Sequence, residues 1–251
     1  AKGWKPPVGP PIEFDELIIK GVATLNNADF SLIAAKLYGG TVNGKGTAAW
    51  QKGLQVKGNF DINQVELKSL VPLVSPGTKM SGRLSAKPVF SASAADAAQL
   101  LNVLHLETPF NVQNGILHGI DIQKAATNLL TKGPTGGETH FDQLSGHVVR
   151  DRGAHKFTDL KIASGALAAD GAVNISAKQE LSGRVNAQVK AVGTSANIPL
   201  NVAGTVQLPL LYPTGGALTG AAIGTVMAPG VGTGVGAKMG QAIEGLFNKK
   251  K

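Results

Sequence analysis

The side chains in this 251-residue sequence best suited to acid–base or metal chemistry are five histidines (His105, His118, His140, His147 and His155) and the aspartates Asp121, Asp142, Asp151 and Asp159. A zinc hydrolase needs imidazoles spaced to share one ion, as in HxH or HExxH. No two of these histidines have that spacing, and the chain has no cysteine to complete a ligand set. His140 and Asp142 could meet His118 or His147 after folding, but histidines on solvated strands explain the same residues. The aspartates read as caps and turn residues. Ser81-Gly82 and Ser145-Gly146 lie in strand-like stretches, outside any nucleophile elbow. The loop 133–137 lacks the GxxxxGK(S/T) phosphate cradle, and the glycines of 230–234 follow no strand. No catalytic residue, metal ligand or cofactor is expected.

What the elements have to position is therefore apolar. Leu54, Val56, Gly58, Phe60 and Ile62 alternate with Gln55, Lys57, Asn59 and Asp61, the period-2 pattern of a strand with one dry face. The pattern returns at Leu167, Ala169, Gly171, Val173 and Ile175, at Leu181, Gly183, Val185, Ala187 and Val189, and at Ile198, Leu200, Val202, Gly204, Val206 and Leu208. Further strands are expected over 17–25, 30–37, 42–50 and 80–90, and a new one after Thr139. Three helices are expected. One is short, within 61–74, and ended by Pro72 and Pro76. One starts at Ser93 with a Ser93-x-x-Asp96 box and an apolar face of Ala97, Leu100, Leu101 and Leu104. The third runs from an Asp121 cap to Lys132, with Ile122, Ala125, Ala126, Leu129 and Leu130 on one face and Gly133-Pro134 as its stop.

Composition fits many short strands: 33 glycines, and only 5% aromatic residues. The net charge is +8, three units of it from Lys249, Lys250 and Lys251. The rest is dispersed without an aromatic-interleaved basic run, so nucleic acid is not indicated, whereas an anionic membrane surface is compatible. A 125-residue shift places Gly21, Gly40, Gly46 and Gly58 on Gly146, Gly165, Gly171 and Gly183, which suggests a duplicated half. The expected divisions are a linker or boundary segment (1–11), two β-rich halves (12–107 and 108–211), and a Gly-rich helical hairpin (212–251). That last segment ends in a small interfacial tip, Ile243, Leu246 and Phe247, suited to membrane or partner contact. The Pro-rich start has no apolar leader, and a targeting segment is expected upstream.

The run Val112-Gln113-Asn114-Gly115-Ile116-Leu117-His118-Gly119-Ile120-Asp121, followed by Thr139-x-Phe141-Asp142-x-Leu144-Ser145-Gly146, resembles the C-terminal region of AsmA-family proteins. The family's pattern there is a strand with N/DGxLxGxD, a helix, then TxFDxLxG. Asp159-Leu160-Lys161-Ile162-Ala163-Ser164 with Gly171-Ala172-Val173 fits the part that follows. In the N-terminal half, Gly21, Phe30 and Leu37-Tyr38-Gly39-Gly40 also resemble family sequences. His140 and the turn Arg150-Asp151-Arg152-Gly153 depart from the pattern, at loop positions.

The resemblance implies a mainly β fold with a few short helices, its antiparallel-rich sheet curled into an open apolar groove. It also implies a periplasmic location, anchored to the inner membrane by an upstream segment. The implied role is phospholipid transport toward the outer membrane and envelope integrity. The alternating strands nominate a groove lining of Leu54, Val56, Phe60, Ile62, Val173, Ile175, Leu181, Val185, Val189, Leu200, Val202 and Val206, meeting phospholipid or another acyl-chain lipid. The same alternation would serve a closed core. That possibility corresponds to the rival role, an envelope scaffold with protein partners that aids outer-membrane protein assembly.

Overall fold

The computed structural model describes residues 3–5, 10–75, 77–127, 136–165, 167–191 and 194–214. The chain is mainly β. The strands are β1 (Glu16–Ala23), β2 (Asn27–Leu37), β3 (Gly40–Ala49), β4 (Leu54–Glu66), β5 (Met80–Ala86), β6 (Val89–Ala94), β7 (His105–His118), β8 (Glu138–Asp151), β9 (Ala154–Ala163), β10 (Leu167–Ile175), β11 (Leu181–Ala191), β12 (Thr194–Gly204) and β13 (Pro209–Pro213). All belong to one antiparallel sheet, and almost every strand pairs with its neighbour in sequence. β5 and β6 share a single lane between β4 and β7. The stretch 80–90 is thus two strands and not one. The break is Lys87-Pro88, where the proline has no N–H to give to a ladder, although its carbonyl still accepts from Phe60 N at 2.9 Å.

A single sheet with one apolar face has to cover that face, and here it curls. The strands carry bulges in which non-glycine residues take positive φ: Gln64 on β4 (56°), Asn114 on β7 (50°) and Asp159 on β9 (51°). The pairing register shifts beside each. A bulge sharpens the local right-handed twist and bends its strand. These three fall on alternate lanes, so the bend recurs across the sheet. At Gly115, next to one bulge, a Cβ would overlap the Phe141 ring and the Ser81 carbonyl. The phenyl ring fills the place that a side chain would take.

Two short helices turn back onto the concave face. α1 (Leu67–Val74) follows β4, and α2 (Ile122–Thr127) follows β7. β5 runs antiparallel to both strands, so both helices leave from the same end of the sheet. α1 packs Leu67 and Val71 against Val112, Phe141 and Leu144. Pro72 lies inside α1 and does not end it, and Ser75 N donates to Val71 O at the last turn. α2 has the expected cap, Asp121 Oδ1 accepting from Lys124 N at 2.8 Å. Its start is also pinned by buried Thr139, which accepts from Ile122 N at 3.0 Å and donates to Ile120 O at 2.7 Å. The remainder of that expected helix and its stop, 128–135, lie outside the described residues, as does the expected C-terminal hairpin from 215 onward; the hairpin's first residues, Tyr212 and Pro213, end strand β13 instead.

The helix expected at Ser93 is absent. Ser91 to Ala94 pair with Leu54 to Lys57 as β6, and only a 3-10 turn, Ala97–Gln99, follows, capped by Asp96. Ladder hydrogen bonds along β4 outweigh the local helix signal. Under the 125-residue shift, β1–β4 fall on β8–β11, but the division at residue 108 lies inside β7, and both halves share one sheet. At the N-terminus, Trp4 and Phe14 are bridged, with ring centroids 5.9 Å apart.

Replacing Gly115 by valine is expected to lower stability by about 1–3 kcal/mol through overpacking against Phe141. Thermal denaturation measures it, and pairing the change with Phe141→Ala should recover part of the loss.

Candidate functional site

The curl encloses a cavity of about 890 Å3. Its walls come from lanes far apart in the sheet: Ile62 and Leu84 on one side, Phe110, Val112, Leu144, Leu160 and Ile162 behind, and Val173, Val185, Val202 and Leu211 facing them. In a flat sheet the lanes of Ile62 and Val202, seven steps apart, would lie about 34 Å from each other at ~4.8 Å per lane. That they border one cavity measures the curl. At one point the two sides touch: Gly77, ahead of β5, lies against the Gln207 side chain of the β12–β13 hairpin.

The lining is almost wholly aliphatic, with Phe110 and Phe157 meeting edge to face at 6.2 Å. Its polar members are few. Thr108 is satisfied within the wall, donating to Pro109 O at 2.7 Å and accepting from Lys87 N at 3.0 Å. The Asp170 carboxylate accepts from Asn186 Nδ2 at 3.1 Å. Lys79, His118 and Glu138 border the cavity from neighbouring lanes. The Glu138 carboxyl is held below the usual carboxylate range, first by its hydrogen bond with His118 (Nδ1 to Oε1, 2.7 Å) and further by His140 (Nε2 to Oε2, 3.4 Å). His140 therefore meets Glu138 rather than Asp142, and His147 pairs with Glu107 at 3.2 Å. Among the described residues no three such groups converge as a metal-ligand set.

Seven of the nominated residues border the cavity: Ile62, Val173, Ile175, Leu181, Val185, Val202 and Val206. Five do not. Val189 and Leu200 share their face but lie under α2, packed with Ile122, Ala125 and Ala126, and Leu200 is wholly buried. Leu54, Val56 and Phe60 belong to the half of β4 that pairs with β6, away from the curl. Phe60 stacks on Phe90, centroids 5.4 Å apart, and Val56 borders a separate depression of about 760 Å3 with Ala28 and Ala92. Ile243, Leu246 and Phe247 lie outside the described residues. The back wall, Phe110 and Val112, alternates with Asn111 and Gln113, a signal that the bulge at Asn114 cuts short.

The sequence profile of the AsmA family matches residues 17–160, more than half of the chain. The protein belongs to the AsmA family. No curated protein and no solved structure matches it. The stretch matching AsmA runs from β1 into β9, so the face contributed by β10–β13 lies beyond it. Among the described residues of this AsmA-family chain, no helix is long and apolar enough to cross a membrane.

His155, at the start of β9, is half-buried with Nδ1 unpartnered, stacked on Phe157 at 6.3 Å. Burial first, and the Arg150 guanidinium second, push its pKa below the usual 6.5. A lowered histidine pKa means that the unfolded chain takes up a proton before the folded one does. Stability should accordingly fall as pH drops from 6.5 toward the folded pKa. His155→Leu is expected to flatten this slope, as measured by urea denaturation between pH 7.5 and 5.

Proposed function

We propose that this chain is a non-enzymatic periplasmic module that holds phospholipid acyl chains in its apolar cavity. In this reading the concave face is an open groove that serves lipid transport between the inner and outer membranes, and with it envelope integrity. The protein is held near the inner membrane by a segment upstream, and its partners are lipid, the membrane surface and other envelope proteins.

The observation that carries the reading is the cavity's lining. A volume of about 890 Å3 is in the range of sites that take small ligands. Aliphatic walls reward each buried methylene by roughly 0.8 kcal/mol and impose no directional bond. A chain held that way is retained but can slide. An enzyme site would instead need a polar group placed over a reacting atom, whereas here Thr108 is bonded to backbone, Asp170 to Asn186, and His118 to Glu138. AsmA-family membership is consistent with an envelope role.

Native mass spectrometry of protein prepared from membranes without harsh detergent should find bound phospholipid at a defined stoichiometry. Val173→Lys and Val206→Asp, both half-buried in the wall, are expected to reduce occupancy about tenfold by placing a charge where tails lie. The melting temperature should change little. Leu208→Asp, at an exposed position outside the lining, should leave occupancy unchanged. A folded protein without lipid, which loses a protein partner on truncation after Leu211, would favour the scaffold role instead.

A further inference from the structure

The cavity is apolar along its walls, yet charged groups of both signs meet at one place on its border. Lys79, His118 and Glu138 sit on three adjoining lanes. His118 N donates to Lys79 O at 3.1 Å, and His118 and Glu138 are register partners across β7 and β8. All three border the cavity beside Met80 and Leu117. Lys79 is exposed, and no described residue forms an ion pair with it. Glu138 is oriented by His118 on one oxygen and approached by His140 at the other. Asp170, the remaining charged residue of the lining, is engaged by Asn186.

We propose that Lys79 and Glu138 form a headgroup site that selects lipids bearing a phosphate and an ammonium in the same headgroup. The inference rests on the lipid-binding reading above and narrows it. With tails in the cavity, the headgroup comes to lie where the apolar wall gives way to polar side chains. A free ammonium on Lys79 pairs with the phosphate. The Glu138 carboxylate, aimed by His118, accepts from the lipid's ammonium. A headgroup with phosphate but no amine gains the first interaction and brings no donor to the carboxylate at the second. A neutral headgroup gains neither. His118 is a positioning residue here, because it acts through Glu138.

The test uses the full chain and displacement of a fluorescent fatty-acyl probe by mixed micelles of three lipids with identical tails: phosphatidylethanolamine, phosphatidylglycerol and diacylglycerol. The wild type is expected to prefer phosphatidylethanolamine by about fivefold, the order set by one solvent-exposed ion pair. Lys79→Gln should bring phosphatidylglycerol down to the level of diacylglycerol or below, and should weaken phosphatidylethanolamine while leaving it the Glu138 interaction. Glu138→Gln should make phosphatidylethanolamine and phosphatidylglycerol equal. Diacylglycerol binding should persist in both variants, which also shows them folded. Equal binding of all three lipids by the wild type, or selectivity unchanged in both variants, overturns the headgroup site and leaves the cavity reading standing. Loss of every lipid in the wild type overturns both. Soluble phosphoethanolamine binding as tightly as the lipid would assign the site to a water-soluble ligand and overturn its role in lipid selection.

Discussion

A sheet of this length has an apolar face far larger than two short helices can cover. α1 and α2 contribute fourteen of the described residues, packed over Val112, Phe141 and Leu144 and over Val189 and Leu200 respectively. Among the described residues no second layer packs over the rest. That face is withdrawn from water, among the described residues, by the sheet closing toward itself, and the other features of the fold serve that end. The bulges at Gln64, Asn114 and Asp159 supply the bend. Small residues such as Gly115 let rings lie flat against the inner surface. The Gly77–Gln207 approach marks where the two sides meet.

The closure stops short of filling the interior. Where α2 lies, Leu200 and Val189 are packed as in an ordinary core. At the edge of the same cluster, Val202 on β12 and Val173 on β10 also border the cavity. Thr139 matters out of proportion to its size, because its hydroxyl ties the entry of α2 to β8 on both the donor and acceptor sides.

That division explains how much of the site is legible in the sequence. Alternation in β4 and β10–β12 locates the strands and their dry faces, since period 2 is a property of each strand alone. It does not show that Val202 borders the cavity while Leu200, two residues away on the same face, does not, because that depends on how distant lanes of the curled sheet come together. Phe60 and Ile62 are inseparable for a similar reason: Phe60 lies opposite the Lys87-Pro88 break, bonded to Pro88 O and stacked on Phe90 of β6, whereas Ile62 pairs with Ala86 of β5. The Ser93 box is a real local signal that ladder pairing overrides. Lys79, His118 and Glu138 are scattered in the sequence, and only the register of β7 with β8, and the bond from His118 to the residue ahead of β5, bring them together.

The near-sequential strand order also bears on how the chain reaches this state. Most ladders join neighbours through tight turns, so each strand can dock on the one just formed with a small loop-closure cost. Such a chain can zip up lane by lane, quickly for an all-β protein, since slow folding comes from pairings distant in sequence. The curl is different. α2 against β12 and β13, and Gly77 against Gln207, join segments separated by long stretches of chain. Those contacts reward the chain only once the intervening lanes exist. Closure by these contacts requires the intervening lanes, and a sheet zipped up but not yet closed would expose its whole apolar face to the surroundings.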